Sequence, residues 1–144
     1  MKALLTLFAL VEVGAGLTLV VAPSVLTTLL VGTQLDTPTA LIVGRVAGIA
    51  LLSLVIVCWV ARTDARSPVA RGLVAGMLLY NAGVVALLVH GDTALGLTGA
   101  LLWPAILIHG ALAVWCVICF LKQRAQPLTD NRVERNQSAS VPRQ

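Results

Sequence analysis

The sequence predicts an all-α fold, a four-transmembrane-helix bundle with a short interfacial helix after the first span. Three observations carry that expectation. Hydrophobic residues make up 58% of the chain and charged residues only 11%, against about 25% charged in an ordinary soluble domain. Four apolar stretches, at 3–21, 40–61, 69–90 and 94–121, are each long enough to cross a bilayer, which takes about 20 helical residues. Nine of the ten Lys and Arg residues cluster in three places, Lys2, the segment 62–71 and the tail after Leu121, and Arg45 alone lies deep within an apolar stretch. Water is therefore not the main solvent, and 144 residues make a single domain. Backbone polar groups find no water partner in lipid, so helices are the expected form. The two-residue alternation of a membrane barrel is absent.

The first stretch begins Met1-Lys2 and then turns apolar, like a signal peptide, with Val20-Val21-Ala22 as a passable cleavage site. Glu12 interrupts the apolar run and Pro23 sits just after the cut, so the segment is read as a retained helix. A long loop, 22–39, follows. Within it 23–31 reads as a short helix, because Pro23 suits a first turn and Gly32 a stop. Val25, Leu26, Leu29 and Leu30 share a side, which places this piece in the outer interface or folded back on the bundle. The third and fourth stretches are joined by a short loop, making them antiparallel neighbours. The last residues, 122–144, are polar and contain Pro127 and Pro142. They hold too little apolar surface to order themselves and read as a disordered cytoplasmic tail beyond a transmembrane unit at 1–121.

Basic residues set the expected orientation. Lys2 precedes the first span, Arg62, Arg66 and Arg71 flank the connection between the second and third, and Lys122, Arg124, Arg132, Arg135 and Arg143 follow the fourth. The other two connections carry Asp36 and Asp92 and no basic residue. With four crossings every flanking cation lies on one side, which the positive-inside rule makes cytoplasmic, with both termini there. Arg far outnumbers Lys, and Ala, Val, Leu and Gly dominate, the composition of a GC-rich bacterium; the expected location is the bacterial inner membrane. The net charge of +4 is no nucleic-acid signal, since no basic patch is interleaved with aromatic residues. The expected partners are the lipid bilayer, whose anionic headgroups the tail can touch, and a membrane protein or a second copy of the chain.

Helices in lipid associate by close contact, and small residues allow it. Gly44 and Gly48 form a small-xxx-small pair in the second span, Gly72, Gly76 and Gly83 a stripe in the third, with Gly14, Gly16 and Gly110 in the others. They serve packing within the chain or a homodimer face.

Each span carries one conspicuous polar residue: Glu12, Arg45, Asn81 and His109. At 1.5 Å per residue their depths from the basic end are about 14, 24, 17 and 18 Å. Three share a level near the midplane, and ionisable groups there normally face the bundle interior. The sharper expectation is a ligand or proton site lined by all four; the plainer one is a structural network, with Arg45 snorkelling to the outer headgroups. His90 and His109 are about 12 Å apart in depth, too far for the two axial ligands of one haem, and no cofactor is expected.

Cys58, Cys116 and Cys119 all lie toward the basic end, the last two as a CxxC. Three thiolates suit a soft metal. Membrane thiol oxidoreductases built on four helices also carry a CxxC, but on the oxidising side, whereas here it falls on the reducing side. The expectation is that these thiols act as small apolar residues and that no metal is held. No nucleophile–base pair, phosphate loop or zinc spacing is present, which turns the reading away from an enzyme.

Two resemblances follow. Gly44-Arg45-Val46-Ala47-Gly48-Ile49-Ala50-Leu51-Leu52, then Cys58-Trp59, Leu79-Tyr80-Asn81, Leu102-Trp103-Pro104 and His109 resemble a family of uncharacterised small bacterial four-helix membrane proteins, DoxX-like in layout. The likeness spans about 1–121 and implies the fold, with no activity to transfer to a residue. Ala9-Leu10-Val11-Glu12-Val13-Gly14 is similar to the first helix of small multidrug resistance exporters, which implies shared proton and cation binding at Glu12. The chain departs from those exporters in its long first outer loop, in a second span that lacks their cation-site aromatic residues, and in Arg45, which would repel cations. The expected function is an accessory or ligand-binding bundle with a polar intramembrane site, and the alternative is a proton-coupled exporter.

Overall fold

In the computed structural model, which describes residues 1–64 and 67–125, the chain forms five helices and, among the described residues, no strand: α1 (Lys2–Val21), α2 (Pro23–Val31), α3 (Pro38–Ala61), α4 (Pro68–Leu95) and α5 (Leu102–Ala125). The four long ones are long and apolar enough to cross a membrane, and the chain is an integral membrane protein by that measure. Their 20–28 residues correspond to about 30–42 Å of helix, enough to span a hydrocarbon core of about 30 Å. The short helix falls at 23–31, as the proline and glycine punctuation requires.

Local chemistry sets the boundaries. Pro23, Pro38 and Pro68 stand in the first turns of their helices, where the missing N–H is no loss. Thr37 and Ser67 cap α3 and α4 by accepting from Ala40 N and Ala70 N at 3.2 and 3.1 Å. One boundary differs from the sequence reading. The third span does not stop at residue 90 but runs on to Leu95, and the fourth begins at Leu102. Gly91 stays helical, while Gly96 takes the left-handed conformation at φ 63°. The Leu97 N–H then returns to Gly91 O at 3.0 Å, a helix stop that only a residue free of a Cβ adopts without cost. At the other end α5 continues past residue 121 to Ala125. The expected disordered tail falls, from residue 126 onward, outside the described residues, as does Arg66.

The bundle is two antiparallel pairs. α1 lies along α3 and α4 along α5, while the α1 and α4 backbones do not approach within 8 Å, Cα to Cα. The first pair is drawn close by glycine. A Cβ on Gly48 would lie 2.8 Å from Gly16 O and 2.8 Å from Leu19 Cβ, and one on Gly44 would lie 3.0 Å from Pro23 Cβ. Gly44 and Gly48 therefore serve packing within the chain. Gly72, Gly76, Gly83 and Gly110 meet nothing within 4 Å of an added Cβ.

Between the pairs lies a core of Leu4, Leu5, Phe8 and Ala9 from α1, Cys58 from α3, Val74 and Met77 from α4, and Leu112, Cys116 and Cys119 from α5. The outer faces expose large apolar side chains, among them Leu10, Val43, Leu79, Leu87 and Leu107, as lipid-facing surfaces do. Trp59, near the end of α3, and Trp103, at the start of α5, are both exposed at opposite ends of the bundle, the levels at which interfacial aromatic residues sit. Arg62 stacks its guanidinium 3.3 Å over the Trp59 ring. α2 folds back onto the bundle and touches every long helix.

Candidate functional site

Glu12, Asn81 and His109 come together between the two pairs, one each from α1, α4 and α5. Glu12 and Asn81 are fully buried, at 1% and 0% exposure. The Tyr80 hydroxyl donates to Glu12 Oε2 at 3.0 Å. His109 Nδ1 lies 2.9 Å from Asn81 Oδ1 and 3.9 Å from Glu12 Oε1. The second distance is too long for a hydrogen bond, and among the described residues Glu12 Oε1 has no hydrogen-bond partner.

The amide of Asn81 orders the imidazole. Its Nδ2 donates to Met77 O, one turn back on α4, at 2.7 Å. Its Oδ1 therefore faces His109, and an acceptor there requires the proton on Nδ1. The proton of the neutral ring thus points at Asn81, not at Glu12. One carboxylate oxygen is held by Tyr80, and the other is left without a donor. Aromatic packing fixes these groups: Phe8 and Tyr80 meet edge to face at 5.9 Å between centroids, and Tyr80 and His109 at 5.8 Å. The α1 and α4 backbones do not approach within 8 Å, so these side chains, with the apolar core toward the basic end, are what joins them.

Arg45 does not join the cluster. It is exposed on α3, among exposed Ile42, Val46 and Ile49. The glycines at 44 and 48 turn inward to α1 and α2, so the intervening Arg45 is turned outward. His90 is exposed near the end of α4, remote from the His109 level. Tyr80 and Phe8 were not among the expected site residues. The available signal was position: Tyr80 is the only tyrosine of the chain and sits one residue, about 1.5 Å of rise, from Asn81.

The three thiols are free and buried in the core, with Cys58 Sγ 3.9 Å from Met77 Sδ. Among the described residues no group of three or more His, Cys, Asp or Glu side chains is arranged to hold a metal ion. A shallow, mostly apolar depression lined by Ser24, Val25, Thr28, Leu29 and Gln34 lies on α2, not at the cluster.

No protein-family model, no curated protein and no solved structure matches the chain. What fold and site define is a class: an integral membrane helix bundle with a buried carboxyl–tyrosine–amide–imidazole cluster between its two helix pairs.

Proposed function

We propose that the chain is a non-enzymatic membrane protein, an accessory or ligand-binding bundle, whose working part is the polar cluster of Glu12, Tyr80, Asn81 and His109. The observation that carries this reading is Glu12 Oε1, a buried carboxyl oxygen with no hydrogen-bond partner among the described residues. An unsatisfied polar atom inside a bilayer costs free energy on the order of a few kcal/mol. A merely structural network would close on itself, as Asn81 does with Met77 and His109. The free oxygen instead suits a bound hydrogen-bond donor, the proton being the smallest. We place the chain in a bacterial inner membrane with the basic end cytoplasmic, supported by the cations at 2, 62, 71 and 122 sharing one end.

A second reading is a proton-coupled exporter of small cations. It is favoured by the aromatic surroundings of Glu12, supplied by Phe8 of α1 and Tyr80 of α4 rather than by α3, and by the outward position of Arg45, which leaves no fixed positive charge beside the carboxyl among the described residues.

Purification in a gentle detergent followed by native mass spectrometry tests the main reading. The expected result is a bound small molecule or protein in stoichiometric amount, lost in Glu12→Gln. An empty wild-type chain whose Glu12→Gln variant is indistinguishable from it in binding and in pH response would overturn it.

A further inference from the structure

We infer that the polar cluster exchanges its proton or ligand through the end of the bundle that carries α2, and that α2 is the gate of that path; the inference rests on reading the cluster as a binding site. The apolar core is not spread evenly about the cluster. All its α1 members, Leu4, Leu5, Phe8 and Ala9, precede Glu12; its α4 members, Val74 and Met77, precede Asn81; its α5 members, Leu112, Cys116 and Cys119, follow His109. Every one lies on the basic side of the cluster. That half is a plug of buried apolar side chains, and a polar species crossing it would leave every hydrogen bond behind.

The other half is built differently. Beyond Glu12 the only fully buried residue of α1 is Gly16, and the buried residues of α3 between 38 and 50 are Gly44 and Gly48. These glycines face one another or α2, so neither helix sends a large buried side chain toward α4 and α5 at this level. Past the cluster toward α2, α5 contributes Leu102 and Ile106.

That end is closed by α2 itself. Leu101 N–H donates to Leu29 O at 2.7 Å. A Cβ on Gly99 would run into the backbone of Leu29 and Leu30, and one on Gly32 into the carbonyl of Thr98. α2 is thus pinned to the 96–101 loop by close backbone contact, beside its contacts with the long helices and the Ser24 Oγ bond to Leu35 O at 2.9 Å, and it is bounded by single residues, Ala22 before it and Gly32, at φ 77°, after it. A nine-residue helix that buries only Pro23 opens at lower cost than a packed core. The titratable groups facing Glu12 are Tyr80 from α4, His109 from α5 and, from α3 on the plug side, Cys58.

Single-cysteine labelling in vesicles tests the path. Glu12→Cys and Ala105→Cys, the latter one turn from His109 toward α2, are made in a chain with Cys58, Cys116 and Cys119 replaced by Ala. Thr33→Cys and Thr63→Cys report which end a membrane-impermeant thiosulfonate reaches. Labelling of positions 12 and 105 is expected only where Thr33→Cys is labelled. Gly99→Val, which forces α2 off the loop, is expected to raise that rate by about tenfold. Labelling from the Thr63 side, or from neither side, overturns the path, and an unchanged rate in Gly99→Val overturns the gate. Should the triple replacement not fold, Ala105→Cys in the otherwise native chain is mapped by peptide mass, with Cys58, Cys116 and Cys119 expected to stay unlabelled; their labelling from the basic end overturns the plug. One-sided labelling in a chain whose Glu12→Gln variant binds and titrates like the native one would sink the binding reading and leave the path standing.

Discussion

The seam between α1 and α3 and the surface where that pair meets α4 and α5 answer the same problem by opposite means. At the seam side chains are removed: Gly16 and Gly48 let two backbones touch, and van der Waals contact over that length does the holding. At the meeting surface the α1 and α4 backbones stay apart and side chains reach across, apolar and sulfur-bearing toward the basic end, polar at Glu12, Tyr80 and His109. A seam of backbone contacts has one geometry. A surface of side chains has rotamers and protonation states, and only the second kind can respond to a ligand.

Substitutions sharpen that contrast. The largest effect is expected for Gly48→Leu, whose side chain overlaps Gly16 O, Leu19 and Val20; a loss of about 3 kcal/mol is expected to appear as aggregation on gel filtration. Gly76→Leu, with open space around it, is expected to change stability by less than about 0.5 kcal/mol. Equal effects at the two positions would break the distinction between seam and open stripe. Phe8→Ala removes a fully buried ring that also steadies Tyr80, and is expected to cost about 3 kcal/mol in a detergent unfolding titration. Tyr80→Phe deletes one interhelical hydrogen bond, worth about 0.6 kcal/mol on average in lipid; its expected signature is a small stability loss with a clear change in binding or pH response at Glu12. Arg45→Ala is expected to leave both stability and binding at the cluster within error.

Much of the fold was legible because it is written in one-dimensional signals. Apolar length gives the spans, and Pro23 with Gly32 gives α2. Depth counting was enough to bring Glu12, Asn81 and His109 to one level. Depth has no azimuth, however, and that is where the reading of Arg45 parted from the structure: it is turned about 100° from Gly44 and about 60° from Gly48, and only the contacts of those two glycines say which way is in. Tyr80 escaped for the same reason, since adjacent positions on a helix cannot be ranked without knowing which faces the neighbour. The glycine stripes show the limit most plainly, because the pair at 44 and 48 and the stripe at 72, 76 and 83 read alike and only the first is closed.

The central claim is that Glu12 and His109 act as one site. It is tested most directly by a pH titration of the His109 ring nitrogens by ¹⁵N resonance, in the native chain and in Glu12→Gln, in lipid nanodiscs. Nδ1 is expected to be the protonated nitrogen of the neutral ring, with a titration that shifts when Glu12 is replaced. An Nε2-protonated neutral ring, or titrations that superimpose, would contradict it.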